Sequence, residues 1–309
     1  MIKTVVSVGL PVDERLIIQK NRLEPETVTG KEKRISIVTG IYGDELDGQY
    51  VCYQLIKKIK ENHKKLKGIV DIYPALNPLG IDSVSRGIPM FELDMNRIFP
   101  GSNDAAMIEH VAADIVDDII GSDMCIDIHS SNVFLKETLQ VRVTKENSKK
   151  LLPYAKMLNT DFIWIHDSVT VLEATLAHSL NSMGVPTIVI EMGVGMRISK
   201  DYGDRLTDGI FHLMTEMGIW EDELIPVNEP IISSRGEMTF ISAQNSGIFV
   251  PELEHNIIVK KGELIGNIIN GLSGECEKVV APCEGILFTL REHPVVYTGS
   301  LVARILGGV

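Results

Sequence analysis

The sequence predicts an α/β protein: a mixed, largely parallel central sheet flanked by helices, with a small C-terminal all-β domain. Three observations predict it. Over residues 1–228, short Ile/Val-rich runs alternate with long amphipathic stretches. Such runs suit strands buried on both faces, and alternation with helices favours parallel pairing. From about residue 229 brief strand signals are broken by glycine, and 10 of the 26 glycines lie in residues 229–309. The 309 residues, 44% hydrophobic, suffice for one large α/β unit plus a smaller one, which rules out disorder as the main state.

Each element follows from its own stretch. Strands are expected at ISIVT (35–39), IVDIYPA (69–75), MCIDIH (124–129), LQVRV (139–143), DFIWIH (161–166) and PTIVIE (186–191). Helices are expected over about 46–66, 104–120, 147–158, 171–183 and 203–217. These make up the domain 1–228. LIPVNEP, Leu224 to Pro230, carries two prolines and an Asn and reads as a linker. The domain 229–309 holds MTFISA, GIFVPEL, NIIVKKG, ELIGNIIN, KVVAPCEG, GILFTL and LVARIL, short strands expected to form a sandwich of hairpins. VVAPCEGIL is superficially like a biotinyl module, but no Met-Lys-Met site is present. A packing or oligomerisation role is expected instead, which leaves a homo-oligomer open.

Charge narrows the function. The net charge of −12 argues against a nucleic-acid partner and against an anionic membrane surface. No apolar run approaches the roughly 20 residues that span a bilayer. The start, MIKTVVSVGLPVDERL, lacks the apolar stretch and cleavage site of a signal peptide, so a cytoplasmic location is expected. Cys52, Cys125, Cys276 and Cys283 form no CxxC pair and read as buried free thiols.

The residues that follow the strands carry the chemistry. ISIVT leads into Gly40-Ile-Tyr-Gly-Asp-Glu45, IVDIYPA into Leu76-Asn77-Pro78, MCIDI into His129-Ser130-Ser131, and PTIVI into Glu191-Met192-Gly193. In a parallel sheet the carboxyl ends of the strands share one edge, where ligand crevices form. Glu45, Asn77, His129 and Glu191 are therefore expected to converge. A His and two Glu there are the raw material of a zinc hydrolase. Arg86, Asp94, Asn96 and Arg97 lie in a Pro/Gly-punctuated stretch. Two guanidinium forks near a hydrolytic centre suggest an anionic substrate, unless Arg97 merely pairs with Asp94 or Glu92.

At these residues the chain resembles the succinylglutamate desuccinylase/aspartoacylase family, a branch of the zinc carboxypeptidase-like hydrolases. The family's ordered motifs read here Gly40-Ile41-Tyr42-Gly43-Asp44-Glu45, Asn77-Pro78-Leu79-Gly80, Arg86, Asp94-Met95-Asn96-Arg97-Ile98-Phe99-Pro100-Gly101, Asp127-Ile128-His129-Ser130 and Glu191-Met192-Gly193. Ala281-Pro282-Cys283-Glu284-Gly285 and the final LVARI look like the family's appended β domain. The resemblance implies one divalent metal, zinc by preference, on Glu45 and His129. It implies Glu191 as the carboxylate that deprotonates the attacking water, and Arg86 as the group on the oxyanion. Asn96 and Arg97, with Asn77 nearby, would bind the substrate carboxylate. Asp127, two residues before His129, shares its side of the strand and is expected to support it.

One departure matters. The resemblance implies a metal-ligand histidine three residues before Glu45, where this chain has Tyr42. A phenol must lose a proton, with a pKa near roughly 10, before it binds metal. Three outcomes stay open: Tyr42 ligates as phenolate, another residue (His166, or locally Asp44) replaces the histidine, or the metal site is lost. The expected function is metal-dependent hydrolysis of the amide of a small N-acyl amino acid or a similar carboxylate-bearing molecule. The alternative is a family member that binds such a carboxylate without metal or turnover.

Overall fold

Side-chain alternation along the central strands decides which face of the sheet each residue joins. The computed structural model describes residues 1–91, 93–167, 173–233 and 238–307. Its strands are β1 (Ile2–Gly9), β2 (Arg15–Leu23), β3 (Arg34–Thr39), β4 (Ile69–Tyr73), β5 (Met124–Ser130), β6 (Leu135–Thr144), β7 (Phe162–His166), β8 (Thr187–Gly193) and β9 (Ile231–Ser233). There follow β10 (Met238–Ser242), β11 (Gly247–Pro251), β12 (Ile257–Val259), β13 (Leu264–Ile269), β14 (Cys276–Val280), β15 (Gly285–Arg291), β16 (Val295–Val296) and β17 (Leu301–Leu306). The helices are α1 (Asp47–Glu61), α2 (Pro78–Ser83), α3 (Met107–Ile119), α4 (Lys145–Ala155), α5 (Leu176–Ser182) and α6 (Lys200–Glu216). The helical pattern expected over 171–183 is described from 173 on; Val171 and Leu172 lie outside the described residues.

The main sheet runs β1-β2-β4-β3-β5-β8-β6-β15-β17-β10, with β7 beside β6 and β9, and β12 beside β15. Its centre is parallel, from β4 through β3 and β5 to β8, as expected. β6 then turns antiparallel to β8. Ile35 and Ile37 of β3, Met124, Ile126 and Ile128 of β5, Leu139, Val141 and Val143 of β6, and Ile188, Ile190 and Met192 of β8 all enter one core. That core is closed by α1, through Val51, Leu55 and Ile59, and by α6, through Leu206, Ile210 and Leu213. The spacings of four and of three or four are those of an apolar helix stripe. A second core uses the opposite face: Val38 and Cys125 meet Ile108, Val111 and Ile115 of α3 and Leu176 and Leu180 of α5.

Two features depart from the expected layout. The N-terminal hairpin β1–β2 was not legible as strands, yet it pairs with the sheet through β2 and β4. Its Lys20 is buried, 2.6 Å from Asp118 and 3.3 Å from Asp71, with Arg22 also on Asp71. This pairing keeps the Asp71 carboxylate from being an unmatched buried charge. The C-terminal region is not a free-standing sandwich. The compositional change near 228 is real, but backbone pairing crosses it: β15 pairs with β6, and β9 with β7. Among the described residues, β14-β13-β11-β16 form a separate sheet. Cys52 and Cys125 are buried and free as expected, whereas Cys276 is exposed. No helix among the described residues is long and apolar enough to cross a membrane.

Gly193 ends β8 at φ +59°, and a Cβ there would overlap Ser199 Oγ and Asp47 Oδ2. Both the left-handed backbone and the close approach require glycine. Gly193→Ala is therefore expected to lower stability by at least about 1–2 kcal/mol, measured by urea denaturation. A variant as stable as the parent would contradict this account of the turn.

Candidate active site

The strand period that fills the core with Ile126, Ile128, Ile188 and Ile190 sends the alternate residues to the other side. Asp127 and His129 of β5, Val189 and Glu191 of β8, and Arg142 of β6 line a cavity of about 810 Å³ at the carboxyl ends of the parallel strands. His129 and Glu191 are register partners across β5 and β8, so strand pairing alone sets them side by side.

Glu45 arrives from the loop after β3. That loop packs against the start of α2 so closely that a Cβ on Gly43 would overlap the backbone of Gly80. Glu45 is 4% exposed, and both of its oxygens are engaged. Oε2 is hydrogen-bonded to His129 Nδ1 at 3.0 Å and accepts the Ser130 N–H at 3.0 Å. Oε1 accepts from Arg86 Nη1 at 3.1 Å. The other ring nitrogen of His129 lies 3.1 Å from Asp127 Oδ1, the supporting position expected for Asp127. Burial alone would lower the His129 pKa, but Asp127 and Glu45 outweigh it and hold the imidazole well above its ordinary value.

Tyr42 is buried beside this pair but does not point its oxygen at it. The hydroxyl donates to Asp94 Oδ2 at 3.3 Å. The ring carries the Arg86 guanidinium 3.5 Å above its centroid and lies 5.7 Å from the His129 ring. Burial pushes the phenol above its usual pKa, against the opposing pull of Arg86 and His129.

His166 lines the same cavity, but its Nδ1 contacts the Asp167 carbonyl at 2.9 Å and its ring lies 5.2 Å from Trp164. Burial lowers its pKa. Among the described residues, no third His, Cys, Asp or Glu, whether His166 or Asp44, joins Glu45 and His129 in a set that would hold a metal. The residues present thus offer two of the three protein donors that a zinc hydrolase uses, and they do not fit the implied ion.

Glu191 is 17% exposed toward the cavity and accepts from Arg142 Nη1 at 3.1 Å. Burial raises its pKa to about 7, although Arg142 pulls it down. Arg142 also donates to Glu137 Oε2 at 2.8 Å, and Glu137 Oε1 accepts from Arg304 Nη1 at 2.7 Å. A chain of acid and guanidinium thus runs from Glu191 to the last strand. Sequence reading passed over Arg142, Glu137 and Arg304. The signal was available for Arg142: in LQVRV it alternates with Leu139, Val141 and Val143, so it had to face away from their core. His178 of α5 also lines the cavity.

The expected substrate contacts divide. Arg97 is exposed on the cavity wall and donates Nη1 to the Asn96 carbonyl at 2.7 Å. It forms no ion pair with Asp94, which instead accepts from Tyr42 and from the Asn96 N–H; Glu92 lies outside the described residues. Asn96 lines the cavity, while its amide oxygen accepts the N–H of Leu176 at 2.9 Å and so ties down α5. Asn77 is a correction. It does not line the cavity: its side chain accepts from Gly80 N at 2.9 Å and donates to the Gly87 carbonyl at 3.0 Å, so it caps α2. Arg197 is exposed and outside the cavity lining.

Comparison with known proteins agrees with this architecture. Residues 31–217 match the model of the succinylglutamate desuccinylase/aspartoacylase catalytic domain. The chain is 23% identical over 296 residues to the N-alpha-acetyl-L-2,4-diaminobutyric acid deacetylase of Halomonas elongata, covering 91% of this chain and 84% of that protein. The product-bound ectoine utilization protein EutE (DoeB) from Ruegeria pomeroyi superposes with a TM-score of 0.82 at 18% identity, over 99% of this chain and 94% of that one. A succinylglutamate desuccinylase/aspartoacylase from Rhodobacter sphaeroides gives 0.81 at 18% identity, over 100% and 95%. With the catalytic-domain match spanning more than half of its length, the chain belongs to the succinylglutamate desuccinylase/aspartoacylase family of amide-bond hydrolases.

Proposed function

We propose that this protein hydrolyses the amide bond of a small N-acyl amino acid or a similar carboxylate-bearing amide. The observation that carries the reading is Glu191: a carboxylate at the cavity wall, beside His129 in register, with its pKa raised to about 7 by burial. A base tuned near neutrality takes a proton from water and returns it to a leaving amine far better than an ordinary carboxylate. Arg86, half-exposed above Tyr42, presents positive charge where an oxyanion would develop. Arg97 and Asn96 supply a fork and an amide for a substrate carboxylate. The named activity of the Halomonas elongata relative, deacetylation of an N-acetylated amino acid, agrees with this substrate class.

A second reading, carboxylate binding without turnover, is favoured by one observation: Arg86 rests on Glu45, and no third His, Cys, Asp or Glu among the described residues groups with Glu45 and His129. A panel of N-acetyl and N-succinyl amino acids, assayed for amine release and by calorimetry, separates the two. Turnover supports the hydrolase; binding with no released amine supports the second reading.

Glu191→Gln is expected to lower kcat/KM on the best substrate by about 10²–10⁴-fold with carboxylate binding retained; an unchanged rate would remove Glu191 from the mechanism. The base works only when ionised. With a pKa near 7, activity should rise with pH through about 7 and level off above it. Arg142→Met removes the cation that favours the charged form, so the midpoint of that rise should move to higher pH. A midpoint that stays put or falls would show that Arg142 does not act on Glu191.

A further inference from the structure

We infer that Tyr42 turns the Glu45–His129 pair from a metal site into one held by a guanidinium, so that the chain binds zinc weakly as it stands and a single change, Tyr42→His, supplies the third donor. The inference concerns metal binding and does not depend on the hydrolytic reading.

Geometry carries it. Glu45 and His129 approach as two ligands of one ion would, with a carboxylate oxygen 3.0 Å from the ring nitrogen and the second ring nitrogen 3.1 Å from a supporting carboxylate. What is missing is a third donor. The residue placed to give it, Tyr42, directs its oxygen away, to Asp94 at 3.3 Å. Its ring serves another purpose: it is a platform for Arg86, whose Cζ lies 3.5 Å above the ring centroid. An aromatic face holds a guanidinium by charge–quadrupole attraction and by stacking. From there Arg86 Nη1 reaches Glu45 Oε1 at 3.1 Å. The free oxygen that a metal would need is thus covered by a fixed cation, which also repels a divalent ion. Three effects point the same way: one donor too few, one carboxylate oxygen covered, and one positive charge adjacent. An imidazole at position 42 would add a neutral nitrogen donor and remove the platform under Arg86.

The test uses the full chain and zinc alone. Wild type, Tyr42→His and Tyr42→Phe are dialysed against zinc, assayed by elemental analysis and titrated in competition with a chromophoric chelator. Cobalt(II) absorption reports the ligand environment. Wild type and Tyr42→Phe are expected to keep well under one zinc per chain. Tyr42→His is expected to bind one, about 100-fold or more tighter, with the intense visible bands of low-coordinate cobalt. One zinc per wild-type chain surviving dialysis overturns the inference. So does Tyr42→Phe binding zinc markedly more weakly than wild type, which would make the phenol oxygen a ligand. Tyr42→His binding no more tightly than wild type overturns the role given to Tyr42. Should Tyr42→His fail to fold, the wild-type and Tyr42→Phe measurements still decide the first two points.

Discussion

The two-residue period of β5, β8 and β6 is the constraint on which the rest depends. It places Ile126, Ile128, Ile188, Ile190, Leu139 and Val141 in one core, and by the same geometry it has to send Asp127, His129, Glu191 and Arg142 to the opposite side. No loop has to find these four side chains. They are set by backbone ladders between largely buried strands, so their spacing is as rigid as the sheet. A slip of one residue in any of these strands would carry the apolar set into the cavity and the ionised set into the core. The cost of burying those charges helps to fix the register.

The electrostatics follow from that placement. The chain carries a net charge of −12, and the cavity walls bear Glu45, Asp127, Glu137 and Glu191. Left alone, these carboxylates would repel one another and any anionic ligand. Four arginines answer them: Arg86 on Glu45, Arg142 between Glu191 and Glu137, Arg304 on Glu137, and Arg97 on the exposed wall. Three are tied to an acid. Arg97, held only by the neighbouring Asn96 carbonyl among the contacts described, is the one best placed to meet a carboxylate from outside.

Much of the fold was legible because buried parallel strands write themselves as short Ile/Val runs, and β3, β4, β5 and β8 do so. The β1–β2 hairpin was not, because β2 carries the polar run Lys20, Asn21 and Arg22 within its pattern. The convergence of Glu45, His129 and Glu191 on one cavity with Arg86, Asn96 and Arg97 was legible from polar residues at or just beyond the carboxyl ends of strands. Asn77 was misread because an Asn before a Pro serves equally as a helix cap, and only the Gly80 and Gly87 contacts distinguish the two uses. Arg304 was out of reach. Nothing local in LVARIL shows that β17 lies next to β15, or that β15 lies against β6.

That last connection bears on how the molecule is made. Glu137 and Arg304 are 167 positions apart in the chain, and the strand between them in the sheet, β15, also comes from the far end. A ribosome that has released residues 1–228 has delivered Glu45, His129 and Glu191 but not the guanidinium that completes the Glu137 network. Over the same interval the stretch of β6 that pairs with β15, Leu135 to Glu137, stays open, whereas Gln140 to Thr144 already pairs with β7. Closure of such distant pairs is slow, and an unpaired strand edge is adhesive while it waits. The link between Glu137 and Arg304 therefore needs both ends of the chain, and until β15 arrives the Leu135 to Glu137 end of β6 lacks that partner.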